Sequence, residues 1–196
     1  SLCILSLTGN IVYQFTLSSP YNISTASYAS KSFDTSSQAS SARSLEFSSD
    51  GTKMYIGDQG TAAIYQYTLS TAFDVSTASY ASKSLSISSQ DSQFREARFK
   101  SDGTSLYVYG DTNVRVYQYN LTTAWDISTA SYASKFMSPS SQTSAVRSFD
   151  ITEDATKLFV FSYSNTQGLF QYTLSTAGDI STASYDGVNY TGYATE

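Results

Sequence analysis

Residues 43–48 read Arg-Ser-Leu-Glu-Phe-Ser, alternating apolar and polar positions. That period of two predicts a strand with one buried face. The same pattern returns as Arg95-Glu96-Ala97-Arg98-Phe99-Lys100 and as Arg147-Ser148-Phe149-Asp150-Ile151-Thr152. Each copy leads through a short turn into a run that is apolar on both faces: residues 53–57, 105–109 and 157–161. Such a run predicts a strand covered on both sides. A third strand follows, as Val12-Tyr13-Gln14-Phe15-Thr16-Leu17, then as Ile64-Tyr65-Gln66-Tyr67-Thr68-Leu69 and twice more. A more polar fourth strand, carrying Lys31, Lys83 or Lys135, closes each unit. Charge and serine suit a strand at a sheet edge, where they discourage unwanted pairing.

The second residue of the third-strand phrase falls at 13, 65, 117 and 170. A fixed period of 52 to 53 residues holding four antiparallel strands predicts one propeller blade per period. The predicted fold class is therefore all-β, a β-propeller of four-stranded antiparallel blades. About four blades lie in this chain, which also suits a share of a larger propeller. Blade boundaries fall near 1–38, 39–90, 91–142 and 143–196 of a single 1–196 domain. The chain opens inside a second strand, so fifteen strands are expected and one first strand is lacking. Upstream residues, or the tail at 191–196, are the candidates to supply it.

Two connecting motifs recur. Ser49-Asp50-Gly51-Thr52 and Ser101-Asp102-Gly103-Thr104 carry the Asp-Gly pair that a type I′ hairpin prefers. The third copy has Ala155 in place of Gly, which predicts a strained or different turn. Between third and fourth strands, Asp74, Asp126 and Asp179, with Asn22 in the first copy, precede a Ser-Thr pair and predict capped turns.

Bulk composition narrows the partners. A net charge of −5 and a pI near 4.6 argue against nucleic acid, which needs a basic face. No apolar run is long enough for a membrane-spanning helix. The chain has 17 Tyr and 11 Phe at regular positions under a Ser/Thr-rich coat, a folded tyrosine-rich β protein. One cysteine, Cys3, permits no internal disulfide. Asn22, Asn120 and Asn189 stand in N-x-Ser/Thr sequons. Without a starting Met, the chain reads as processed at its front or as a piece of something longer.

The segment at residues 47–56, Phe-Ser-Ser-Asp-Gly-Thr-Lys-Met-Tyr-Ile, resembles the Asp-Gly hairpin of YVTN and lactonase-like seven-bladed propellers. The whole unit is similar to a Ser/Tyr-rich propeller repeat of secreted bacterial and phage structural proteins. The resemblance implies the fold; propellers host many unrelated activities.

Candidate chemistry is sparse. The chain has no histidine, hence no Ser-His-Asp or Cys-His arrangement. Lactonase-type propellers hold a metal through acidic and amide residues, but Glu46, Arg98 and Asp150 share one register without sharing a charge. No catalytic residue, metal site or cofactor is expected. Arg43, Arg95 and Arg147 recur at the start of each first strand, with Gln38, Gln90 and Gln142 five residues earlier. Gathered at a channel mouth, they would bind an anionic group through forked donors; alternatively each holds its own blade. Trp125 and Phe73, on the connectors, could stack on a sugar ring or simply pack the loop.

The favoured reading is a non-catalytic structural or recognition module, adhesin-like or from a phage, displayed extracellularly, on a cell surface or on a virion. Its partners would be a surface protein or glycan, or copies of itself. A multivalent lectin ranks second. A lactonase-like hydrolase ranks third, set back by the missing histidines.

Overall fold

The strands fall where the two-residue alternation puts them. The computed structural model describes residues 1–163 and 168–190. The first sheet has three strands in chain order, β1 (Leu2–Ser6), β2 (Ile11–Leu17) and β3 (Ala26–Asp34). The second has four, β4 (Ala42–Phe47), β5 (Lys53–Asp58), β6 (Ala63–Leu69) and β7 (Ala78–Ser86). The third holds β8 (Phe94–Phe99), β9 (Ser105–Gly110), β10 (Arg115–Leu121) and β11 (Ala130–Met137). The fourth holds β12 (Val146–Ile151), β13 (Lys157–Ser162), β14 (Gly168–Leu174) and β15 (Ala183–Tyr190). All pairings are antiparallel. The fold class is the all-β propeller, with four blades in the chain. Residues 191–196, a candidate for the lacking strand, lie outside the described residues.

The chain divides into two compact units, Ser1–Ser86 and Ile87–Glu196. In the first, Val12, Met54, Ile56, Tyr67 and Val75 form a buried core between two blades, with Phe33 edge-on to Tyr67 at 5.2 Å. In the second, Tyr107, Tyr109, Val116, Phe149, Leu158 and Val160 do the same. Apolar burial on this scale supplies the main driving force for pairing blades.

Polar latches add direction. In two blades the buried Gln of the third-strand phrase reaches the following blade. Gln14 Oε1 accepts the Val75 N–H and Gln118 Oε1 accepts the Ile180 N–H, both at 3.0 Å. Those N–H groups belong to 3₁₀ turns, Val75–Thr77 and Ile180–Thr182, whose N-caps Asp74 and Asp179 accept from Ser76 and Ser181. The fourth-strand lysines also cross over: Lys31 Nζ meets Asp74 at 2.5 Å and Lys135 Nζ meets Asp179 at 2.7 Å. These lysines thus latch neighbouring blades, where edge protection alone was expected.

The Asp-Gly hairpins differ from the type I′ expectation. Gly51 and Gly103 have φ of 69° and 72°, whereas Asp50 and Asp102 are not in the positive-φ region. The Gly51 N–H donates to Ser48 O at 2.8 Å, so a type I turn ends on a left-handed glycine. Ala155 keeps the same geometry, with φ of 53° and a matching bond to Thr152 O. Losing the glycine leaves the turn type unchanged and places a side chain in a conformation that costs about 1 kcal/mol.

Candidate functional site

Glu96 breaks the repeat. Its register partners are Ser44 and Ser148, small hydroxyls on the same first-strand position. A carboxyl there lies largely buried, with only 13% of its side chain exposed. Arg98, two residues on and therefore on the same strand face, donates from Nη1 to Glu96 Oε1 at 2.6 Å. The same guanidinium lies 3.7 Å through Nε from Asp150 Oδ1 on β12. Ser148, beside Asp150 on that strand, also hydrogen-bonds Glu96. The unit Ile87–Glu196 thus carries a strip of Glu96, Arg98, Ser148 and Asp150 across two neighbouring first strands. Burial pushes the Glu96 carboxyl above its ordinary pKa, and Arg98 offsets only part of that rise. A carboxyl poised this way holds or releases a proton closer to neutrality than a free glutamate.

A divalent cation does not fit this strip. Glu96 and Asp150 both lean on Arg98, whose positive charge occupies the centre between them. Among the described residues no group of three or more His, Cys, Asp or Glu side chains is arranged to hold a metal ion.

The arginines singled out on the sequence have local partners. Arg43 Nε donates to Gln59 Oε1 at 2.9 Å. Arg95 donates to Asp111 from Nε, at 2.6 Å, and from Nη2. This bond and burial act oppositely on Arg95, and the net effect is a pKa above its ordinary value. Arg147 lies over the Tyr163 ring, 3.8 Å from its centroid. The three glutamines each receive a third-strand tyrosine hydroxyl: Tyr67 to Gln38 at 3.2 Å, Tyr119 to Gln90 at 2.8 Å and Tyr172 to Gln142 at 2.9 Å. That repeated contact ties each pre-strand loop to its blade.

Phe73 and Trp125 sit over the Asp-Gly hairpins. Trp125 stacks on Phe99 with centroids 4.9 Å apart, and Phe73 lies 6.0 Å from Phe47. Their backbone N–H groups donate to Gly103 O and Gly51 O. Tyr21 stands at the equivalent place in the first sheet, which has no such hairpin, and is 100% exposed.

No protein-family model and no curated protein matches this chain. Solved structures do share the fold. A candidate 6-phosphogluconolactonase from Bacteroides uniformis aligns over 93% of this chain and 55% of its own length, with 13% identity and a TM-score of 0.60. Another from Bacteroides fragilis gives 96%, 54%, 13% identity and 0.61. The periplasmic gluconolactonase of Pseudomonas aeruginosa gives 96%, 52%, 13% identity and 0.54. The chain spans about half the length of these structures.

These neighbours correct the ranking drawn from the sequence, which expected no enzyme and put a non-catalytic display module first, a lectin second and a lactonase-like hydrolase third. Three of the structures sharing the fold are named as lactonases. Arg98 and Asp150 do not share a charge, yet they meet, and Glu96 joins them from outside the repeat register.

Proposed function

We propose that this chain is part of a lactonase-like hydrolase acting on a sugar-derived lactone. The observation that carries the reading is Glu96, a buried carboxyl of raised pKa held by Arg98 where the repeat otherwise has serine. The names of the fold neighbours support the substrate class.

In this reading the Glu96 carboxylate takes a proton from water as the water oxygen bonds to the lactone carbonyl carbon. Arg98 fixes the carboxylate and stabilises the negative charge that develops on the carbonyl oxygen. Collapse breaks the ring C–O bond, and Glu96 returns the proton to the departing ring oxygen, which leaves as a hydroxyl. The product acid then loses its own proton to solvent. General acid–base help of this kind is worth about 10²–10⁴-fold. The periplasmic neighbour supports a location outside the cytoplasm.

The test is base uptake in a pH-stat with glucono-1,5-lactone and its 6-phosphate, corrected for spontaneous opening. The reading predicts turnover by the wild type and a loss of about 10²-fold or more in Glu96→Gln. Wild-type rates equal to the uncatalysed rate for both substrates overturn it.

A further inference from the structure

Each unit builds a blade-to-blade contact from the same two faces. A leading face, made by the second, third and fourth strands of one blade, presses on a receiving face of the next. In the unit Ile87–Glu196 the leading face carries Tyr109, Val116 and Met137, which share a buried core with Val160, Tyr172 and Ile180 of the fourth blade. In the unit Ser1–Ser86 the receiving face carries Ile56, Tyr67, Leu69 and Val75, all buried. Lys31 with Asp74, and Lys135 with Asp179, add a charged latch to each contact.

Both faces also occur once uncovered. Register puts Phe161, Leu169, Val188 and Tyr190 of the fourth blade at the positions of Tyr109, Val116, Lys135 and Met137. All four are exposed, Tyr190 by 71%. Ile4, Phe15, Leu17 and Ile23 of the first blade take the positions of Ile56, Tyr67, Leu69 and Val75. Ile23 is 77% exposed, whereas Val75 and Ile180 are fully buried.

The latch changes on both faces together. Val188 stands where the other blades have Lys31, Lys83 and Lys135, and Asn22 stands where they have Asp74, Asp126 and Asp179. A lysine missing from one end face matches a carboxylate missing from the other, so the two remain compatible without charge. A terminal repeat that faces water carries a polar cap. Here lysine gives way to valine, and contiguous exposed apolar area marks an interaction surface.

We propose that the leading face of the fourth blade binds the receiving face of the first blade in a second copy of this chain, head to tail. Tyr190 enters the partner's first blade as Met137 enters the fourth, and Val188 lies against Asn22 of the partner subunit. Gln171 Oε1 accepts the N–H of Ile23 of the partner subunit, as Gln14 does for Val75. Two such contacts make a closed dimer. That dimer has about the length of the fold neighbours, of which one chain spans about half. The interface does not rest on the hydrolase reading.

Sedimentation equilibrium of the whole chain across a range of concentrations tests it. A mass of two copies is expected. Ile23→Glu should weaken the dimer about tenfold or more while leaving the circular dichroism unchanged, because the side chain is exposed within one copy. Val188→Lys and Asn22→Asp should each weaken it by burying an unpaired charge. The double variant should recover affinity, because it restores the latch made by Lys135 and Asp179. A monomer at every concentration, wild-type affinity in Ile23→Glu, or a double variant no tighter than the single ones overturns the interface. A dimer that hydrolyses no lactone would keep the interface and sink the hydrolase; lactone hydrolysis by a monomer would do the reverse.

Discussion

The Trp125 ring occupies the space that a Cβ on Gly103 would need. Gly51 stands in the same relation to Phe73. In the fourth blade the pair is inverted: Ala155 takes the hairpin position at φ 53° and Gly178 takes the connector position at φ 77°. Side-chain volume at this contact is conserved by exchange between two loops. Gly103→Ala should therefore destabilise by about 2 kcal/mol, from positive φ and displacement of the indole. In a Trp125→Gly background the same change should cost less, since the pair then copies Ala155 and Gly178. Chemical denaturation of the four proteins measures the coupling.

A second exchange concerns a buried anion. Asp58 on β5 accepts from Ser41 N and from the Thr61 N–H and hydroxyl, and Ala39 holds the position that is Asp91 one period later. In the next blade the carboxylate comes from the other side: Asp91 accepts from Gln93, Thr112 and Asn113 N–H groups, opposite Gly110. A Cβ on Gly110 would overlap Asp91. The fourth blade joins Thr143 to Ser162 at 2.6 Å instead. Asp91→Ala should cost about 3 kcal/mol by stranding three N–H donors. The swap Asp91→Gly with Gly110→Asp should recover much of that in a denaturation series.

Val114 adopts φ of 52°, a conformation unfavourable to a β-branched residue. Val114→Gly should raise stability by about 1 kcal/mol. A rise in melting temperature, read by circular dichroism, checks it.

Acid should loosen the Asp50 hairpin and the edge of the fourth sheet. Hydrogen bonds from Ser48 and Thr52 lower Asp50 to about 2, and bonds from Thr173, Gln171 and Lys157 lower Asp186 to about 2. A folded pKa below the unfolded one adds stability above the unfolded value, and that stability is lost as pH falls through the folded one. The window runs from the ordinary 3.8 down to about 2. The melting temperature should fall across that window, and Asp50→Asn should flatten part of the fall.

The blades were legible because the 52-residue phrase repeats the alternation that builds each sheet. The hairpin type was not, because Asp-Gly serves both a type I′ turn and a type I turn ending on a left-handed glycine. Gln14 and Gln118 looked like polar positions of a third strand, and their bonds to Val75 and Ile180 cross between blades, which no local pattern records. Glu96 is invisible to a reading of the repeat, because it stands at a position that does not recur. Its signal is a single acid where two other blades carry Ser44 and Ser148.

The central claim is that Glu96 works as a base in lactone opening, and the pH dependence of kcat/KM for glucono-1,5-lactone tests it most directly. The account predicts an acid limb with an apparent pKa above the ordinary glutamate value of 4.5, absent from the residual rate of Glu96→Gln. A wild-type profile that tracks spontaneous hydrolysis, or the same limb in the variant, would contradict it.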